Sequence, residues 1–339
     1  MNLRDELALA VAVVGTMVGA GFASGQELVR FFVTLGPPAP AAVVLMAMLL
    51  TLATAQVRRL ALKWHTNSYG DFLVVLLGKW VKPADLATGT FLFGGLAIML
   101  AGSGALVKEH FGLAPVIGVL ACGLLAFLAS LGKGRGLLLV NALLVPFMII
   151  IITAAALAAV FSRPEPFYNL SPPPPVGLIS NNWIINACLY VTYNMVGITV
   201  LLTSLPSSCK GVLGAGTGGL FLGILAYLLV NALGRLSPAG LQSEIPLLYL
   251  VAGLQPGLMH AYILALWLAL VTTAASNLYG LATRLGQMPF LTTWQAALAI
   301  LVLAFPLAGW GFINLISWIY PFFGYLGLFL LLLAVTCRF

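Results

Sequence analysis

Charge is scarce in this sequence. Of 339 residues, 8 are acidic and 15 basic, so charged residues make up 7% where soluble domains carry about 25%. That scarcity excludes a soluble globular fold, a disordered chain and a nucleic-acid-binding surface. The four cysteines, Cys122, Cys188, Cys209 and Cys337, share no CxxC and no metal-ligand spacing. They read as buried small hydrophobes rather than a disulfide scaffold. No P-loop is present, so ATP does not drive the protein directly. No paired acids, His/acid set or nucleophile with a base falls near the middle of an apolar run, which argues against an intramembrane enzyme and gives no catalytic residue and no cofactor. His65, His110 and His260 all fall in expected loops, leaving no buried histidine relay. Arg4, Asp5 and Glu6 lead straight into glycine-rich sequence without a clear cleavage site, so a cleaved signal peptide is not expected.

What fills the chain instead is apolar. Hydrophobic residues make up 62% and the mean hydropathy is +1.10. The runs are continuous, which excludes the alternating ten-residue segments of a β-barrel and leaves a polytopic helical membrane protein. Charges and breakers mark ten spans: 6–34, 38–59, 84–107, 112–131, 136–161, 182–206, 210–234, 258–284, 290–308 and 312–336. The last two come from one stretch. No charge occurs between Arg284 and Arg338, about 80 Å of helix, so the chain must turn there, and Gly309-Trp310-Gly311 is the breaker.

Basic residues set the orientation. With the N-terminus inside, Arg4, Arg58, Arg59, Lys63, Lys79, Lys82, Lys133, Arg135, Lys210, Arg284 and Arg338 are internal, and Arg30, Lys108, Arg163 and Arg235 are external. Both termini are then cytoplasmic, in a bacterial cytoplasmic (inner) membrane. Residues 66–82 read as an interfacial helix on the inner face. Residues 240–256 read as a short outer helix, with Pro246 at its start. Pro172 to Pro175 form a stiff linker at the midpoint, between a first repeat over 1–161 and a second over 176–339.

Span 1 places glycines at 15, 19, 21 and 25 beside Ser24, Gln26 and Glu27. A small-residue packing face explains the Gly15/Gly19 and Gly21/Gly25 spacings but not glycine at both 19 and 21. An unwound, ligand-facing stretch explains both. Span 6 holds Tyr190, Thr192, Tyr193, Asn194 and Gly197 near its middle. Each span opens one set of five, and an odd repeat unit inverts the second set. Interrupted helices at matching positions of two inverted five-helix repeats point to the site of a secondary transporter. In span 8, Ala269, Thr272, Thr273 and Ser276 share one helical face, continued by Asn277. Hydroxyls and free carbonyls there suit a hard cation, although Ser and Thr also bond back to their own helix.

Val13 to Glu27, VVGTMVGAGFASGQE, resembles the opening of the YkvI-type bacterial membrane proteins, and Glu244-Ile245-Pro246-Leu247-Leu248-Tyr249 is similar to another of their stretches. That family is placed with the amino acid–polyamine–organocation superfamily. The resemblance implies the LeuT fold, with ten helices in two inverted repeats and helices 1 and 6 broken mid-membrane. Sodium symporters of this type carry a GxxVGxG pattern in span 1 and Ala-x-x-[Ser/Thr]-[Ser/Thr] in span 8. The resemblance therefore implies Na⁺ ligation by the carbonyls of Gly15, Val18 and Ala269 and the hydroxyls of Thr272 and Thr273. It also implies that the amides near Ala20 and Gly21 face an anionic group of the solute. Phe22 stands where neurotransmitter-type symporters carry an Asn linked to a second sodium, so one coupling ion is expected.

Glu27 is the one acid expected within the bilayer, either paired with Arg30 one turn on or acting as an outer gate or ammonium partner. The expected solute site combines the amides of Ala20, Gly21 and Phe22 with side chains of Phe22, Ser24, Tyr190, Tyr193, Asn194, Ser276 and Asn277. Expected partners are a small amino-acid-like zwitterion and the lipid bilayer. Proton coupling through Glu27, or solute sensing without transport, are the other readings, and no appended signalling domain supports the latter.

Overall fold

The structure is a computed structural model that describes residues 3–66, 68–131, 135–162, 176–205, 211–253, 256–286 and 291–336. Pro172–Pro175, Cys209, Cys337, Lys133, Arg163, Lys210 and Arg338 lie outside the described residues. Every regular element among the described residues is helical: α1 (Leu3–Met17), α2 (Ala20–Ser24), α3 (Gln26–Phe31), α4 (Ala39–Lys63), α5 (Tyr69–Leu77), α6 (Val81–Phe111), α7 (Pro115–Leu131), α8 (Arg135–Ser162), α9 (Trp183–Thr203), α10 (Val212–Leu233), α11 (Pro238–Gln242), α12 (Pro246–Val251), α13 (Pro256–Leu285), α14 (Thr293–Ala308) and α15 (Phe312–Thr336), with short 3₁₀ turns at Val33–Leu35 and Gly78–Trp80. Among the described residues, seven stretches are long and apolar enough to cross a membrane. Glu6–Met17, Pro115–Leu131 and Thr293–Ala308 are shorter apolar helices at the positions of expected spans 1, 4 and 9.

Local chemistry places the ends. Gly36, at φ 69°, turns the chain into Pro37 and Pro38, and α4 carries a proline in its first turn, where a missing N–H costs nothing. Asn182 caps α9 by accepting from the amides of Ile184 and Ile185. The break at 309–311 is where expected, with Gly311 at φ 96° between α14 and α15.

Packing separates two groups of helices. Span 1 packs mainly with α9 and α10, which also hold α4, while α6, α7, α13 and α14 pack with one another; α2, α8 and α15 touch both groups. Glycines allow the closest approach in the first group: a Cβ at Gly223 would lie 2.2 Å from the Ala47 methyl of α4. Arg58 of α4 is 1% exposed and donates to the Leu202 carbonyl at 2.8 Å and to that of Leu205 at 3.3 Å, neutralising the partly negative C-terminus of α9.

One expectation is corrected here. Span 6 is not broken: α9 runs unbroken from Trp183 to Thr203. Its polar side chains turn back onto their own helix, Thr192 Oγ1 donating to the Cys188 carbonyl at 2.9 Å and Asn194 Nδ2 to that of Tyr190 at 2.8 Å. These groups are satisfied without unwinding the backbone.

Candidate functional site

Span 1 is interrupted twice. The Val18 amide bonds to the Val14 carbonyl, and the Gly19 amide turns back to Met17 at 2.7 Å, which ends α1. Gly19 then adopts extended backbone at φ −84°, ψ −179°, and α2 starts with the Ala23 amide on the Gly19 carbonyl. The carbonyls of Gly15, Thr16 and Val18 receive no backbone hydrogen bond among the described residues. The amides of Ala20, Gly21 and Phe22 have no helical partner, being the first turn of α2. A second kink follows at Gly25, φ 82°, where an L side chain would be strained and would also meet Leu247.

Exposure divides at this break. Thr16 is exposed and Gly15 and Gly19 are half-buried, and a Cβ added to either glycine would meet open space. From Ala20 to Thr34 every residue is buried. Asn194 to Gly197 on α9 and Thr273, Asn277 and Gly280 on α13 are half-buried, and Ser276 is exposed. Around the break, exposure therefore lies on the side at which α1 begins, the near face, while the segment beyond it, toward the opposite, far face, is buried.

The far closure is made of hydrogen bonds. Gln26 Nε2 donates to the Ser243 carbonyl at 3.2 Å, Tyr262 to the Ala23 carbonyl at 2.7 Å, and Asn186 Nδ2 to that of Phe31 at 3.2 Å. Glu109, at the end of α6, accepts from the Ser243 hydroxyl at 2.7 Å and the Glu244 amide at 2.6 Å. Glu244 accepts from the Phe312 amide at 3.2 Å. The pair α11–α12 thus forms a lid tied to span 1, α6 and α15.

Next to Gln26 lies Glu27, 6% exposed. Its Oε2 accepts from the Tyr193 hydroxyl at 2.7 Å, and its Oε1 lies over Gly21, where an added Cβ would be 1.8 Å away. Tyr190 and Tyr320 face the same carboxyl. Tyr193 stacks on Tyr320 at 4.6 Å with an interplanar angle of 4°, and Phe31 and Phe32 close the cluster against Tyr190 at 5.4 and 5.1 Å. The expected Glu27–Arg30 pair does not form; the ion pair found among the described residues is Arg284–Asp85 at 2.9 Å.

The structure thus brings Gly21, Tyr190 and Tyr193 to Glu27. Ser24 instead donates to the Gly21 carbonyl and accepts from the Gln26 amide, bracing the second kink. Asn277 points at Gly95 of α6, and Ser276 bonds to the Thr272 carbonyl. Of the cation set, Val18 and Thr272 are buried and Gly15, Ala269 and Thr273 half-buried, the first two residues of the pattern on span 1 and the last three on α13. Contact between α1 and α13 is slight, while α13 packs on α2. Thr272 Oγ1 bonds to the Ala269 carbonyl at 3.2 Å. Sequence reasoning missed Tyr320, Tyr262 and the Glu109–Ser243 contact. Tyr320 had a signal: a hydroxyl in the middle of an apolar span, just before Pro321.

No family model matches the chain. It is 27% identical over 342 residues to the uncharacterised protein YyaD of Bacillus subtilis (strain 168), covering 98% of this chain and 96% of that one. It is 28% identical over 326 residues to the uncharacterised membrane protein YkvI of the same organism, covering 94% and 92%. Among solved structures it is similar to Mhp1 in an inward-facing conformation, with TM-score 0.62, 13% identity and coverage of 96% of this chain and 73% of that one. A Na⁺-coupled sialic acid symporter in its outward-open state gives TM-score 0.58, 14% identity and coverage of 90% and 72%. A manganese transporter of Eremococcus coleocola gives TM-score 0.55, 16% identity and coverage of 97% and 78%. The fold is that of the LeuT-type transporters.

Proposed function

We propose that this protein is a secondary active transporter that carries a small zwitterionic organic solute together with Na⁺ across a bacterial cytoplasmic membrane. Both termini lie in the cytoplasm, so the near face is the inner face. The observation that carries the reading is the exposure boundary at Gly19: accessible from one face up to the break in span 1, sealed from the other beyond it. A site at a break reachable from one side only is what alternating access requires. The two helix groups that meet around it supply surfaces able to rock against each other.

Na⁺ coupling rests on the carbonyls of Gly15 and Val18, which lack a backbone donor, and on the hydroxyls of Thr272 and Thr273 on α13. Hard cations take such all-oxygen ligands. Closing the near-face space would bring α1 and α13 together and complete the set. The test is thermal stability of the purified protein against the proteinogenic amino acids in NaCl or KCl, followed by uptake of any stabilising compound into proteoliposomes. A ligand of the folded state raises stability by mass action. Accumulation driven by an imposed Na⁺ gradient is the expected result; binding without accumulation would leave a solute sensor.

A further inference from the structure

We infer that Glu27 is a proton-binding site, its protonated form favouring the conformation open to the near face and its ionised form the conformation open to the far face. The inference rests on the alternating-access reading and adds a second ion to it. Glu27 lies among aromatic rings, and among the described residues no cation is paired with it: Arg30, one turn on, forms no ion pair with it. A buried carboxylate without a countercharge is unfavourable, and intramembrane acids of this kind serve function.

The surrounding hydroxyls can serve the carboxyl in either protonation state. Tyr193 donates to Oε2. The Tyr190 hydroxyl is buried and faces the same carboxyl, and its oxygen can accept the proton of a neutral acid. The other groups packed around α2 and α3 supply no charge. From α9 come Tyr190 and Tyr193, from α15 Tyr320, and from α13 Tyr262, whose hydroxyl is engaged by Ala23. On α12 and α10 the titratable groups are Tyr249 and Tyr227, both exposed. On α6 they are Lys82, Asp85, Lys108, Glu109 and His110, at its two ends.

The proton needs a way out on each side. Toward the near face, Phe91, 6.4 Å from Tyr320, lines a small apolar cavity of about 60 Å³ with Val196 and Phe323, which the carboxyl would reach only when the Tyr193–Tyr320 stack parts. Toward the far face, release of Gln26 from Ser243 would free the short helix that carries Glu27. The proton is taken from far-face water by the carboxylate, the far side closes over the neutral acid, and the proton leaves to near-face water.

The test uses the full-length protein in proteoliposomes, with native cysteines replaced and a single cysteine at Thr16 or at Leu247, which packs against the Gly25 kink under the lid. Labelling by a membrane-impermeant maleimide is divided by the rate of the same cysteine in the Glu27→Gln variant, which cancels the thiol's own pH dependence. Raising the pH should speed Leu247→Cys and slow Thr16→Cys, each by at least about threefold. Infrared difference spectra should show a carboxylic-acid band that the Gln variant lacks. Tyr193→Phe keeps the acid and should move the midpoint. A pH-independent ratio, or a band that survives in Glu27→Gln, overturns the inference. If the ratio shifts but no solute accumulates, the proton site stands and the transport reading fails; uptake with a flat ratio means the reverse.

Discussion

The Tyr193 hydroxyl donates to Glu27 at 2.7 Å across the joint between α9 and α3, fastening the far half of span 1 to span 6. Removing the donor leaves a buried acceptor short of a partner. Tyr193→Phe should therefore lower stability by about 1–3 kcal/mol. Glu27→Gln keeps the shape and an acceptor oxygen while removing the ionisable group, so it should be neutral or stabilising. A double-mutant cycle by thermal unfolding in detergent, pairing Tyr193→Phe with Glu27→Ala, which removes the acceptor, should give a coupling of about 0.5–3 kcal/mol. Independent additivity of the two changes would mean that the contact does not fasten the joint.

Gly21→Val should abolish solute binding while the fold survives. The structure changes the reason: the first atom to be struck is Glu27 Oε1, 1.8 Å from the added Cβ, the far end of a flexible side chain that can swing away. Gly118 is the contrast. A Cβ there would lie 2.3 Å from the Ser103 backbone carbonyl of α6, which cannot yield, so Gly118→Ala should lower thermal stability. Equal destabilisation by both would return Gly21 to a mere packing role.

Much of the frame was legible in the sequence because burial in lipid writes itself as long apolar runs. The ten spans, the turn at Gly309–Gly311, the helix after Ser68 and the lid around Pro246 all followed from apolar runs and breakers. The break after Val18 was legible because glycine at both 19 and 21 has no packing explanation. Span 6 misled for the converse reason: Thr192 and Asn194 are polar, and a sequence does not show whether a polar side chain faces a ligand or its own helix. The Glu27 cluster was only half visible. Tyr190 and Tyr193 sit four and seven residues beyond Asn186 on one helix, but Tyr320 arrives from the other end of the chain, and only packing brings it within 4.6 Å of Tyr193.

The lid should respond to pH through Glu244. Burial pushes its carboxyl above the ordinary 4.5, an effect partly offset by the Phe312 amide and nearby Lys108 and reinforced by Glu109. A raised folded value means that the closed state binds more protons than the unfolded chain above pH 4.5. Closure is then favoured at low pH and weakens as the pH rises through the raised value. Glu244→Gln should flatten this dependence in hydrogen exchange of the α12 amides. An unchanged slope in the variant would assign the dependence to another group.

The cation set gives the most exposed prediction. Thr272→Ala with Thr273→Ala removes two side-chain oxygens and leaves the carbonyls of Gly15, Val18 and Ala269 in place. Thr272 already bonds to the Ala269 carbonyl, so its loss frees one carbonyl within its own helix, a local change of about 1 kcal/mol; Thr273 is half-buried on the accessible side. Expression and thermal stability in KCl should therefore stay near wild type. In NaCl the wild-type protein should gain stability that the double variant lacks, and a Na⁺ gradient should no longer drive uptake. Sodium should also draw α1 toward α13 in the wild type alone, slowing maleimide labelling of Thr16→Cys. If the double variant keeps its Na⁺ response in both measurements, the hydroxyls are not ligands, and coupling would rest on Glu27 alone.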